Sequence, residues 1–185
     1  KRTPDAQRGP FATHCPVCGT PLRQEEGEAG VFCPNSDRCA PQIKGRLEHF
    51  IARKAMDIES LGEGKIDMLH ANGLVNNIAD FYRLNYDQLF GLEKVVEDEN
   101  GKTKTITFRE KTVRNILDGI EASKKVPFER VLFALGIRYV GETTAKGVAR
   151  HFGSIDALAA ATQEQLRLYV LAHQKIGDNY GVITS

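Results

Sequence analysis

The sequence predicts a mainly α fold: a small four-cysteine metal module, then a run of paired helices with one inserted β-hairpin. Three observations predict it. All four cysteines fall in two close pairs, Cys15-Pro16-Val17-Cys18 and Cys33-Pro34-Asn35-Ser36-Asp37-Arg38-Cys39. From Pro41 onward, apolar residues recur at helical spacing and glycine-bearing turns separate them. One stretch, 94–108, breaks that rhythm with two β-prone arms around Asn100-Gly101.

The cysteine spacing is that of a tetrahedral thiolate site for zinc, because each tight turn aims two sulfurs at one ion. Pro16, Gly19 and Pro21 suit the first turn, and the 14 residues between the pairs can close as a hairpin carrying Val31 and Phe32. Two disulfides are the competing arrangement. Against them, the chain opens Lys1-Arg2-Thr3-Pro4 with no apolar leader, and no cysteine occurs elsewhere. Four thiolates fill the coordination sphere and leave no position for a reacting water, so the expected zinc is structural. His14 is expected to be an exposed loop residue. The organisation read here is a linker over 1–14, the zinc module over 15–40 and a helical domain over 41–185.

With 185 residues, 41% hydrophobic and 26% charged, the composition is that of an ordinary soluble chain of one or two small domains. No apolar run reaches membrane-spanning length, so no membrane partner is expected. Net charge is +1, and any attraction to nucleic acid must come from local features.

The helical domain reads as follows. Ile43, Leu47, Phe50 and Ile51 form one face of a helix from Pro41 to about Ala55. After Ser60-Leu61-Gly62-Glu63-Gly64, a second helix carries Ile66, Leu69 and His70 and stops at Asn72-Gly73. Short helices follow from Ile78 to Leu89. In the β-hairpin the first arm is acidic and the second basic, which predicts cross-strand charge pairing. Val113, Ile116, Leu117 and Ile120 stripe the next helix, and Pro127 opens another in its first turn with Val131, Leu132 and Leu135 inward. Gly136–Gly141 is a turn leading into a helix over Glu142–Phe152 that stops at Gly153. Thr162 and Gln165 form a capping box for a last helix.

Two bends share a form: Leu61-Gly62-Glu63-Gly64-Lys65 and Val140-Gly141-Glu142-Thr143-Thr144-Ala145. Each sets a glycine at the mouth of a helix, where unpaired N–H groups and the helix dipole favour a phosphate oxygen. Glycine lets a sugar-phosphate backbone come close. The apolar member, Leu61 or Val140, plugs back between two helices. The expected phosphate contacts are the amides of Gly62, Gly64, Gly141 and Thr143, supported by Lys65, Thr144 and Lys146. The alternative for each bend is a plain αα corner. Such contacts hold a phosphate track without reading bases.

These features together resemble the bacterial NAD-dependent DNA ligase. The resemblance is carried by the order of four-cysteine module, helix Pro41–Arg53 and Lys54-Ala55-Met56-Asp57-Ile58-Glu59-Ser60-Leu61-Gly62-Glu63. It is carried further by Phe128-Glu129-Arg130-Val131-Leu132-Phe133-Ala134-Leu135-Gly136-Ile137-Arg138-Tyr139-Val140-Gly141-Glu142-Thr143-Thr144-Ala145, which looks like that family's third helix-hairpin-helix motif. The similarity covers roughly residues 10–168.

The resemblance implies a zinc finger beside a helix-hairpin-helix domain whose hairpins grip the minor groove of nicked duplex DNA without sequence preference. It implies a cytoplasmic bacterial protein, with Cys15, Cys18, Cys33 and Cys39 as the zinc ligands. The NAD-binding and adenylation domains would lie before Lys1 and a BRCT domain after Ser185, so NAD belongs to the parent protein and is not bound by this stretch. Ile116 stands where a Lys-x-Asp-Gly motif ending in Asp118-Gly119 would need its lysine, and the stretch alone is expected to be inactive. Three positions depart from the family pattern. Ser60 and Tyr139 stand where glycine is usual, and the second hairpin reads Phe108-Arg109-Glu110-Lys111 without one. A fourth hairpin begins at Lys175-Ile176-Gly177-Asp178 and is incomplete. Two other readings compete: a protein-interaction scaffold with a structural zinc, and an autonomous nuclease or glycosylase, for which no acidic cluster, lysine nucleophile or histidine triad is visible.

Overall fold

The computed structural model describes residues 12–27, 29–97 and 101–173, with side chains to Tyr169. Most of the expected linker, Asn100 of the hairpin turn and the expected hairpin at Lys175–Asp178 lie outside the described residues. Between the two cysteine pairs, β1 (Arg23–Gln24) and β2 (Val31–Phe32) pair antiparallel, with Arg23 opposite Phe32. This is the hairpin expected from the cysteine spacing.

Helix α1 (Ala40–Ile51) starts directly after Cys39, with Pro41 in its first turn, and buries Ile43, Leu47, Phe50 and Ile51. It ends at Ile51, not near Ala55. The reason is burial downstream: Ala55, Met56 and Ile58 all turn into the core. The backbone folds back to let them in, with Met56 N–H donating to the Phe50 carbonyl at 3.0 Å and Ile58 N–H to the Ile51 carbonyl at 3.1 Å. Helix α2 (Glu63–Ala71) is capped by Gly62, and the chain leaves it through Gly73 at φ +69°.

A short 3-10 helix (Ile78–Arg83) and α3 (Tyr86–Leu89) follow, each opened by a reciprocal capping box, Asn77 with Asp80 and Asn85 with Gln88. Strands β3 (Glu93–Glu97) and β4 (Thr103–Thr107) form the inserted hairpin. Among the described residues its register does not pair opposite charges directly: threonines face Glu93 and Glu97, while Lys104 faces Val96. Thr107 Oγ1 donates to Glu93 Oε1 at 3.0 Å instead, and Lys94 reaches across to Asp67 on α2.

Helix α4 (Glu110–Ser123) buries Val113, Ile116 and Ile120 as its stripe predicts. Gly119 is where α4 meets the loop before the first bend; a Cβ there would lie 2.7 Å from the Glu59 carbonyl oxygen. Helix α5 (Phe128–Ala134) begins one residue later than expected, Pro127 serving as its N-cap. Helix α6 (Glu142–Phe152) has the bounds its flanking glycines set, and Gly153 leaves it at φ +75°. Helix α7 (Ile155–Ala160) was not expected; Ser154 caps it by accepting from Ala157 N–H at 3.1 Å. Helix α8 (Gln163–His173) opens on the expected box, Thr162 N–H donating to Gln165 Oε1 at 2.8 Å and Gln165 N–H to Thr162 Oγ1 at 3.2 Å.

One apolar core serves α1 to α5. Leu47, Ile66, Leu69, Phe81, Leu89, Phe108, Val113 and Ile116 are among its fully buried members. The metal module has no comparable core: its buried set is Cys15, Cys33 and Cys39, with Cys18 and Leu22 packed against them. Among the described residues no helix is long and apolar enough to cross a membrane.

Candidate metal centre and nucleic-acid interface

The four cysteines converge. Their sulfurs all lie within 4.8 Å of one another, with Cys15 Sγ 3.8 Å from Cys39 Sγ and Cys18 Sγ 3.6 Å from Cys33 Sγ. A zinc ion about 2.3 Å from each corner of a thiolate tetrahedron would set the sulfurs about 3.8 Å apart, so the donor set fits zinc. All four are free thiols. The group has no histidine in it, and His14 is exposed as expected.

The turns supply polar support. Thr20 Oγ1 lies 3.2 Å from Cys18 Sγ and accepts from Asn35 Nδ2 at 3.3 Å, which ties the first knuckle to the second. The Thr20 hydroxyl and backbone N–H pull the Cys18 thiol down to about 6, whereas burial pushes Cys39 up to about 12. Burial of thiolates is costly unless a cation neutralises them, and a zinc ion at this four-sulfur cluster would do so.

The two glycine bends are built alike. In the first, Ser60 has φ +68°, Leu61 is half-buried against the core and Gly62 caps α2 in extended backbone. In the second, Tyr139 has φ +64°, Val140 is half-buried and Gly141 caps α6, also extended. Gly62, Gly64, Gly141 and Thr143 are exposed. The first intrahelical bonds go from Lys65 and Ile66 N–H to the Gly62 carbonyl, and from Ala145 N–H to the Gly141 carbonyl. No acceptor among the described residues takes the N–H of Gly62, Gly64, Gly141 or Thr143.

The cations expected beside the bends are engaged. Lys65 Nζ folds back to the Ser60 carbonyl, and burial lowers its pKa. Lys146 pairs with Glu142 at 2.9 Å, and Lys54 reaches the same carboxylate at 3.4 Å. The hydrogen bond from Lys146, then its charge, holds Glu142 below the usual carboxylate range. Thr144 is half-buried.

Sequence reasoning missed the residue that joins the two bends. Arg130 on α5 donates through Nε to the Ala55 carbonyl at 2.8 Å and through Nη2 to the Arg53 carbonyl, and pairs with Asp57 at 3.6 Å. It fixes the loop before the first bend against the helix before the second. Two histidines are structural: the His49 ring lies 2.9 Å from the Phe133 carbonyl and the His70 ring 3.1 Å from the Val75 carbonyl.

A four-thiolate knuckle followed by paired helices with open-mouthed glycine bends defines a zinc-finger, helix-hairpin-helix protein. Comparison with known families agrees: residues 14–40 match the NAD-dependent DNA ligase C4 zinc finger domain, and residues 130–170 match the helix-hairpin-helix motif. Over 166 residues the chain is 50% identical to the DNA ligase of Cytophaga hutchinsonii, 48% to that of Christiangramia forsetii and 47% to that of Flavobacterium psychrophilum. Each alignment takes in 90% of this chain and 23% of the relative. The chain carries the zinc-finger and helix-hairpin-helix region of the bacterial NAD-dependent DNA ligases, and it spans under a quarter of the length of these relatives.

Proposed function

We propose that this stretch holds duplex DNA by its phosphate backbone, in the cytoplasm of a bacterium, for a ligase that seals nicks using NAD. Its own share is grip without sequence preference, through the minor-groove side of a nicked duplex. The adenylation and sealing chemistry lies with the rest of the ligase, since Ile116, not lysine, stands two residues before Asp118-Gly119.

One observation carries the reading. Gly62 and Gly141 sit at helix mouths in backbone open to any residue, and a Cβ on either would meet no atom within 4 Å. Neither conformation nor packing inside the chain requires glycine there. A requirement from outside does, namely the close approach of an anionic backbone to unpaired N–H groups. Oriented amides also explain how a chain of net charge +1 can bind DNA.

The test is titration of labelled nicked duplex at two salt concentrations, with a zinc assay on the same sample. One tightly held zinc and binding with a shallow salt dependence are expected. A zinc-loaded chain indifferent to DNA at low salt would move the reading to a protein-interaction scaffold.

A further inference from the structure

Among the described residues, the tip of the metal module meets the second glycine bend at the Glu25 carboxylate and the Phe32 ring. Arg138 Nη1 lies 2.9 Å from Glu25 Oε1, and the Tyr139 hydroxyl donates to Glu25 Oε2 at 2.5 Å. The Arg138 guanidinium is 4.4 Å from the Phe32 ring centroid and 5.2 Å from that of Tyr139. Glu25 directly follows β1, and Phe32 ends β2 one residue before Cys33, so the metal knuckle sets where both stand. Arg138 and Tyr139 run directly into Val140 and Gly141, the bend whose amides face outward.

The bend needs such a hold. Tyr139 is a bulky residue at φ +64°, a conformation that L side chains leave unless their surroundings fix them. The comparable residue of the first bend, Ser60 at φ +68°, is held from inside its own hairpin by Lys65 donating to its carbonyl. The second bend takes its hold from another module. A shared carboxylate fixes the Arg138 and Tyr139 side chains together, and the Phe32 ring backs the guanidinium.

We infer that the zinc module is the positioning element of the second bend, with Glu25 and Phe32 as its positioning residues. Metal loading then sets the conformation of residues 138–141, and loss of the metal releases it. The consequence for DNA rests on the reading above; the conformational link does not.

The experiment compares the unmodified chain with Glu25→Gln and with Phe32→Leu, the latter leaving charge unchanged. Zinc per chain, amide hydrogen exchange over 139–141 and affinity for labelled nicked duplex are measured on each. Both variants are expected to keep one zinc and to exchange the Val140 amide, which donates to the Ile137 carbonyl at 2.9 Å, at least about fivefold faster. Duplex affinity is expected to fall by a similar factor, and chelating the metal from the unmodified chain should loosen the same amides. Unchanged exchange at Val140 in both variants, or on chelation, would overturn the link. So would tighter duplex binding by Glu25→Gln without faster exchange, which would make Glu25 a mere shield over Arg138. If the unmodified chain binds no duplex, the DNA reading fails alone, and exchange still decides the link.

Discussion

Ser60 and Tyr139 adopt the same left-handed backbone, φ +68° and +64°, each two residues ahead of a glycine that caps a helix. The two bends are therefore one conformation built twice, and neither has glycine at its strained position. For Ser60, glycine would remove a cost of about 1–2 kcal/mol while adding about 0.5–1 kcal/mol of unfolded-state freedom. Ser60→Gly is expected to raise the thermal midpoint by a few degrees at most, a net gain of about 0.5–1 kcal/mol. A lower midpoint in a thermal melt would show that the serine side chain stabilises the bend.

The capping glycines should behave in the opposite way. Gly62→Ala and Gly141→Ala place a methyl group in open space, at a cost to stability of no more than about 1 kcal/mol. The same methyl group would keep a phosphate away from the helix mouth, and duplex affinity is expected to fall about tenfold, or about 1.4 kcal/mol. Unaltered affinity measured by fluorescence anisotropy would return both bends to plain helix corners.

Metal removal should unfold one module and spare the other. The buried set of the knuckle is little more than its cysteines, whereas α1 to α5 share a core of their own. Chelation or Cys39→Ser is expected to abolish amide protection over residues 12–39 and to leave most of the helical circular dichroism in place. Loss of the whole helical signal would mean that the two parts fold as one.

Asp67 gives the fold an acid sensitivity. Lys44 at 2.5 Å and Lys94 at 3.4 Å bind its carboxylate, joining α1, α2 and β3, and the Lys44 hydrogen bond leads in lowering its pKa. A lowered folded-state pKa contributes stability that is present above the unfolded value, near 4, and is lost as pH falls through the folded one. Asp67→Asn is therefore expected to destabilise the chain at neutral pH and to flatten the decline of urea midpoints below pH 4. Parallel declines in the two proteins would rule the pair out as the cause.

Much of this architecture was legible because the signals are local. Gly141 and Gly153 bracket α6, so its ends were read to the residue, and the Thr162–Gln165 box gave the start of α8. The thiolate cluster was readable for the same reason, since each pair sits within one turn. The end of α1 was misread because the apolar run Ala55-Met56-Ile58 continues past it, and only the tertiary core decides that those residues turn inward. Helix α7 was passed over because a six-residue helix capped by Ser154 shows too little periodicity to read. Arg130 on Ala55 and Glu25 on Arg138 left no trace in the sequence, since a contact between distant residues has no spacing to recognise.

Arg130 has one more consequence, for the order in which the chain is made. Its partners, the Ala55 and Arg53 carbonyls, leave the ribosome 75 and 77 positions ahead of it. Until the arginine emerges, those two carbonyls lack the donor that ties the loop to α5 in the finished fold.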